Sequence, residues 1–318
     1  MTSPHSPDLQ FDSGTEAEIE KAARVIRSGG LVAFPTETVY GLGADATNDT
    51  AIKKIFAVKG RPSDHPLIIH VLAINDVTKY AKDIPSDAVK LIKAFWPGPL
   101  TILLQRRPDK CAVAAGHRPT LALRSPAHPM ARELLRRTGL PIAAPSANRF
   151  GKISPTTADH VRKDLGPDVD FILDGGKCNV GVESTIVDCT TSPPTLLRPG
   201  GISVQELEDA LGHKIDLDPG MSRAPGMLES HYAPQCSVVL VENSTQAHEA
   251  HDRLRAQRHS VRILDFRDDV VRYAQNLYSV LRTADDDGIE FVVAVLPPAT
   301  GLGLAVRDRL QKAAVRPN

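Results

Sequence analysis

Between Leu217 and Pro234 the apolar periodicity of this chain lapses, and Pro219-Gly220, Pro225-Gly226 and Tyr232-Ala233-Pro234 take its place. Proline lacks the amide proton that a helix or central strand needs, and glycine resists any single conformation, so this stretch reads as a linker that divides the chain. Each side must then bury a core of its own. The 318 residues suffice for one large and one smaller domain, and 42% hydrophobic against 24% charged residues keeps both in the globular range. The layout expected is a disordered tail over 1–14, a large domain over 15–216, the linker over 217–235 and a small domain over 236–318.

Beyond the linker the pattern is regular: strands at 237–241, 261–264 and 291–295 alternate with helices at 246–256, 270–283 and 304–314. Three such units make a small doubly wound α/β domain. The large domain is less regular. Thr15-x-x-Glu18 is a capping box ahead of Ile19, Ala22, Ala23 and Ile26, with Gly29-Gly30 as the stop. Strands fit 31–34, 67–71, 100–105, 121–124, 142–144, 171–174, 185–188 and 196–198; helices fit 49–58, 87–95, 129–137, 157–165 and 204–211. Residues 35–43 read as a loop. Strand-to-strand neighbours late in the series predict a twisted mixed sheet.

Lysine plus arginine equals aspartate plus glutamate at 38 each, so no global field draws the protein to nucleic acid or membrane. Cys111, Cys178, Cys189 and Cys236 show no C-x-x-C spacing, which argues against a structural zinc or a disulfide framework and for a reducing cytoplasm. No run approaches the roughly 18 apolar residues of a membrane span, and the polar N-terminal stretch lacks a signal-peptide core.

Polar groups cluster where strands run into loops, the usual place for ligands in α/β sheets. Pro35-Thr36-Glu37-Thr38-Val39-Tyr40-Gly41-Leu42 suits a small polar ligand, and equally a capped strand-to-turn connection. Lys59-Gly60-Arg61-Pro62, preceded by Lys53 and Lys54, suits a polyphosphate, since arginine binds its oxygens in pairs and lysine adds a point charge. A solvated helix end has the same composition. His65 and His70 lie close by, each compatible with a structural histidine as well as a ligand. Thr120-Leu121-Ala122-Leu123-Arg124 ends in an arginine fit for a carboxylate or a surface ion pair. Ala144-Pro145-Ser146-Ala147-Asn148, the helix-cap sequence Ser154-Pro155-Thr156-Thr157, Glu183-Ser184-Thr185 and Leu197-Arg198-Pro199-Gly200 place further polar groups beside strands. Phosphate-loop, dinucleotide, zincin and nucleophile-elbow signatures are all absent, so a bound nucleotide would be held by scattered side chains.

Taken together, the 35–42 segment, Lys59-x-Arg61, Ser146-x-Asn148, Glu183-Ser184-Thr185 and His231-Tyr232-Ala233-Pro234 resemble the YrdC-type threonylcarbamoyl-AMP synthase family in its long form, from Ala23 to about Gly201 and more weakly onward. The resemblance implies a YrdC-like catalytic domain followed by a Rossmann-like one. It implies a threonine pocket of Thr38, His70, Arg124, Ala144 and Ser184, and an ATP side of Arg61, His65, Thr120, Ser146, Asn148, Ser154, Arg198 and Tyr232, with Lys59 and Arg61 as the catalytic cations. The family usually carries asparagine where this chain has His65, whose charge varies with pH. The implied reaction adds the threonine amine to bicarbonate and turns the carbamate on the α-phosphorus of ATP. Alignment and positive charge, with Mg²⁺ accompanying ATP, then suffice without a protein nucleophile or metal ligand. The linker's Tyr232 would act as a lid, and the product would pass to a threonylcarbamoyl transferase complex, touching tRNA only indirectly.

Two other expectations compete. Lys53, Lys54, Lys59 and Arg61 form the basic surface of an RNA-binding module, although aromatics at 4% offer no stacking platform. An accessory domain of hydrogenase maturation shares the domain type, but its neighbouring zinc-binding cysteine pairs are lacking here.

Overall fold

Asp12 opens the first helix, α1 (Ser13–Arg27): its carboxylate accepts the Thr15 amide at 2.9 Å, and Ile19, Ala22, Ala23 and Ile26 form one buried stripe. The cap is thus Asp12 rather than the expected Thr15, and Ser13 and Gly14 are helical rather than part of a tail. A carboxylate at this position gains from the helix dipole as well as from the hydrogen bond. The computed structural model describes residues 11–217 and 232–315, so most of the expected linker, His231 included, lies outside the described residues.

After α1 the chain runs through β1 (Val32–Phe34), β2 (Gly41–Asp45), α2 (Asp49–Lys59), β3 (Ile68–His70), α3 (Val77–Tyr80), α4 (Ser86–Phe95), β4 (Leu100–Gln105) and β5 (Thr120–Arg124). It continues with α5 (Pro129–Thr138), β6 (Ile142–Ala143), α6 (Ala158–Leu165), β7 (Phe171–Ile172), β8 (Thr185–Asp188), β9 (Thr195–Arg198), α7 (Val204–Leu211) and β10 (Asp216–Leu217). These strands form one mixed sheet in the order β10-β9-β8-β4-β5-β3-β6-β2-β1-β7. As expected it is mixed: β3–β5 and β4–β8 are parallel, whereas β1–β2 and β4–β5 are antiparallel.

The segment Gly41–Asp45, expected as loop, is a strand paired with β1 and β6. Its glycines are there for packing: a Cβ on Gly43 would stand 2.7 Å from the Phe34 ring and 2.8 Å from Ile142 Cγ2. Only a bare backbone lets the Phe34 ring lie across this strand.

Strand alternation separates two faces of the sheet. Ile69, Ile102, Leu104, Leu121, Leu123 and Val187 join the principal core, which also takes in Ile52 and Ile55 of α2, Leu91 and Ile92 of α4, and Leu207 and Leu211 of α7. The residues between them, Ile68, Leu103, Ala122 and Ile186, form a small patch on the other face with Leu197. His70 and Arg124 share the parity of Ile68 and Ala122, so they project on that second face.

The remaining elements are β11 (Ser237–Val241), α8 (Ser244–Ala256), β12 (Val261–Leu264), α9 (Val270–Asp286), β13 (Phe291–Val295) and α10 (Leu302–Ala314). They build an all-parallel sheet in the order β11-β13-β12. Val293 and Val295 of β13 pack with Ala247, Ala250 and Leu254 of α8, whereas Val292 and Ala294 pack with α9 and α10, so both faces are covered as expected. This second unit docks closely on the first. Gly181, at φ 81°, lies against α9 so tightly that a Cβ would be 2.4 Å from the Ala274 carbonyl oxygen, and Arg282 forks both Asp164 oxygens at 2.8 and 2.6 Å. Among the described residues no helix is long and apolar enough to cross a membrane.

Candidate active site

The second face of the large sheet carries an open cleft lined by polar and charged side chains. At one end stands Arg124, buried at the end of β5. Its Nη2 lies 2.7 Å from Glu37 Oε1 and its Nη1 donates to Thr38 Oγ1 at 2.9 Å. Thr36 Oγ1 donates to the Val39 carbonyl at 2.6 Å; with that proton committed, Thr38 must donate to Thr36 across their 2.8 Å contact. Thr38 therefore keeps a lone pair for a ligand donor. His70, on the adjacent strand, rests its ring edge-on against Phe34. Burial, and after it the Arg124 charge, push the imidazole down to about 3, so it is neutral at pH 7.

At the other end stand Arg61, Arg198 and Tyr232. Arg61 donates to the Pro66 carbonyl at 3.0 Å and lies over the Phe150 ring at 5.6 Å. Burial, with Arg198 nearby, draws its pKa down to about 10, which leaves it charged at neutral pH. Arg198 grips Ser184, donating from Nε and Nη2 to its carbonyl at 3.1 and 2.9 Å and from Nη2 to its hydroxyl at 3.1 Å. Burial keeps the Tyr232 phenol well above its ordinary pKa, and hence protonated.

Of the expected site residues, Thr38, Arg61, His70, Arg124, Ala144, Ser146, Ser184, Arg198 and Tyr232 all line this one cleft. The others are placed differently. Lys59, expected as a catalytic cation, is buried with its ammonium donating to the carbonyls of Ser146, at 2.6 Å, and Asn148; the Phe150 amide returns to the Lys59 carbonyl at 2.8 Å. Asn148, expected as a ligand, donates to the Arg149 and Lys152 carbonyls at 2.7 and 2.8 Å. The two residues shape the loop that presents Ser146, because a buried ammonium and a buried amide must find acceptors where they stand. Ser154 donates to Glu183 Oε1 at 2.6 Å, while the cap of α6 is Thr157. His65 sits beside the cleft with its ring edge against Phe150, its pKa held below the ordinary value by partial burial and then by Arg61. Thr120 begins β5, about 13 Å from Arg124 at roughly 3.3 Å per residue.

The family model described as Telomere recombination (Sua5, YciO, YrdC) matches residues 24–200, and the one described as Threonylcarbamoyl-AMP synthase, C-terminal domain, matches 202–315. The threonylcarbamoyl-AMP synthases of Pyrococcus abyssi and Bacillus subtilis are each 42% identical, over 94% and 95% of this chain and 94% of their own length. The chain belongs to the threonylcarbamoyl-AMP synthase family. The solved P. abyssi Sua5 complexed with L-threonine superposes with a TM-score of 0.90 at 42% identity, covering 94% of each chain.

In this family member the roles of two buried carboxylates and of Arg309 escaped the sequence reading. Glu37 was visible inside the 35–42 motif but not as the partner of Arg124. Glu183 lines the cleft and is buried, with Tyr278 donating to its oxygens at 3.0 and 2.8 Å and Arg309 Nε donating at 2.7 Å. Burial alone would raise its pKa, but Arg309, Arg198 and the Ser154 hydroxyl outweigh that and hold it at about 2. A signal for Arg309 existed: it interrupts the apolar stripe Ala305, Val306, Leu310, Ala313 of α10, where a charge needs a buried partner. The cleft thus pairs an arginine whose chemistry suits a carboxylate with a cationic end suited to phosphates.

Proposed function

We propose that this chain condenses L-threonine, bicarbonate and ATP into L-threonylcarbamoyl-adenylate, releasing pyrophosphate and water. The observation that carries the reading is the joining of both ends in one cleft: Arg124 with Thr38 and His70 at one, Arg61 with Arg198 and Tyr232 at the other. The guanidinium of Arg124 takes the threonine carboxylate in a two-pronged ion pair, which leaves the amine free to add to bicarbonate with loss of water. A carbamate oxygen then bonds to the α-phosphorus as the bond to the β-phosphate bridge breaks and pyrophosphate leaves. Arg61 and Arg198 offset the charge that develops on the phosphoryl oxygens, and the cleft holds the reactants in line.

ATP enters as its Mg²⁺ complex, the ion held by phosphate oxygens and water, because the carboxylate that lines the cleft, Glu183, is already engaged by Arg309, Tyr278 and Ser154. The product is a reactive donor for a separate cytoplasmic transferase complex that modifies adenosine 37 of tRNA. The competing RNA-binding reading is not favoured: Lys59 is buried and Arg61 faces the cleft, so neither adds to a basic outer surface. The test is pyrophosphate release from ATP and Mg²⁺ by the purified protein. Release that requires both threonine and bicarbonate, with the labile adenylate recovered, is expected; release that ignores threonine, or none at all, overturns the proposal.

A further inference from the structure

The cleft contains a charge that the reaction does not call for. Glu183 lines the same wall as Arg198, and a bare carboxylate there would repel the polyanionic end of a nucleotide. Its oxygens are instead engaged by three donors: Oε1 accepts from Ser154, Oε2 from Arg309, and the single Tyr278 hydroxyl proton is shared between the two oxygens. Two of these donors, Tyr278 on α9 and Arg309 on α10, come from the second unit.

Arg309 is fully buried, at 0% exposure, on an otherwise apolar helix face. Besides Glu183 it donates to Asp308 Oδ2 at 2.5 Å, a carboxylate that Lys312 also holds, and to the Pro199 carbonyl at 3.1 Å, next to Arg198, while its guanidinium lies 5.3 Å over the Tyr232 ring. The far side of the same assembly is closed by Tyr278, whose ring stacks on Tyr232 at 5.7 Å and 28°. Tyr232 itself has φ 62°, a left-handed conformation that a tyrosine keeps only where its surroundings hold it. One guanidinium therefore neutralises the cleft's carboxylate, braces its aromatic wall and anchors the turn after its cationic strand.

We infer that Arg309 is a positioning and charge-compensating residue for the nucleotide end of the cleft, so that the second unit completes the ATP site by cancelling Glu183. The inference rests on the ATP reading given above. It differs from a purely mechanical bolt between the units in one respect. Loss of Arg309 exposes a negative charge to the ligand, and the penalty falls on the polyanion ATP rather than on zwitterionic threonine.

The experiment uses the full chain, with wild type, Arg309→Met, Glu183→Gln and the double variant compared by threonine-dependent pyrophosphate release and by equilibrium binding of ATP alone. Arg309→Met is expected to raise the KM and Kd for ATP at least tenfold, equivalent to about 1.4 kcal/mol, with the threonine KM changed less than about threefold. Adding Glu183→Gln to it should restore ATP binding to within about threefold of the Glu183→Gln single variant, since the cleft wall then carries no charge to cancel and Asp308, outside the cleft lining, keeps Lys312 as its partner. Equal losses for ATP and threonine, or a double variant no better than Arg309→Met, overturn the inference. If Arg309→Met alone does not fold, the comparison of Glu183→Gln with the double variant decides: a further ATP loss beyond about threefold refutes the charge argument. A wild-type protein without threonine-dependent release would instead refute the reaction, whereas its activity with unaffected variants refutes only the role of Arg309.

Discussion

Replacing Arg124 by methionine separates what that residue does for the fold from what it does for the substrate. Its side chain is 5% exposed, and that of its partner Glu37 is 9% exposed, across a 2.7 Å ion pair. Removing one member of a buried pair strands the other, which costs about 3–5 kcal/mol, a large share of the roughly 5–15 kcal/mol that keeps a domain folded. Glu37 retains the Ala127 amide at 3.1 Å as a donor, so the lower part of that range applies. At a urea slope near 2–3 kcal/mol per molar, the unfolding midpoint should fall by about 1–1.5 M. Threonine loses a two-pronged charge-assisted contact of about 3 kcal/mol, close to a hundredfold in KM, while ATP binding measured without threonine stays within about threefold. The double variant Glu37→Gln/Arg124→Met then discriminates. Without the stranded charge its midpoint should return most of the way, but threonine KM should not recover. Urea unfolding followed by circular dichroism, with initial rates over a threonine series, gives both quantities. A double variant that regains threonine affinity, or an Arg124→Met protein as stable as wild type, would refute the assignment.

Other perturbations follow from the same geometry. The His70 imidazole is held at about 3, below its unfolded value of about 6.5, so the folded state resists a proton that the unfolded chain accepts. That stability is present above pH 6.5 and is lost as pH falls toward 3, by about 2 kcal/mol between pH 7 and pH 5. In urea titrations at these two pH values, His70→Gln should lose less stability than wild type by that amount, and parallel losses would count against the shift; His160, held down to about 4 by burial and Arg282, acts in the same direction in both proteins. Gly43→Ala should destabilise the protein by about 1–3 kcal/mol because its methyl would press on Phe34 and Ile142, and an unchanged melting temperature would contradict that packing. Lys59→Met removes the ammonium that gathers the Ser146 and Asn148 carbonyls. Amide exchange across 146–150 should then quicken about tenfold and ATP KM should rise, and a loop as protected as in wild type would show that Lys59 does not build it.

Why some elements were legible and others were not is a matter of where the determining contact lies. The strands Ser237–Val241, Val261–Leu264 and Phe291–Val295 coincide with their sequence reading, since short runs rich in β-branched residues between helical segments carry a local signal. Gly41–Asp45 has no such run. Its strand character depends on Phe34 lying across its glycines, a contact made by another strand, and in isolation the same glycines read as a turn. The cleft divides in the same way. Polar residues at strand ends identify the neighbourhood, but Lys59 and Arg61 are alike in sequence, and only the fold turns one toward two carbonyls and the other into the cleft. Arg309 is the extreme case, paired with a residue 126 positions away. Its own helix nevertheless records the need for a partner, because a guanidinium on an apolar stripe must either be satisfied or destabilise the fold. The partners available to such a stripe are the buried carboxylates of the surface it docks on. Glu183 is a buried carboxylate in contact with both units, so the feature that looks like an error in α10 and the superfluous negative charge in the cleft account for each other.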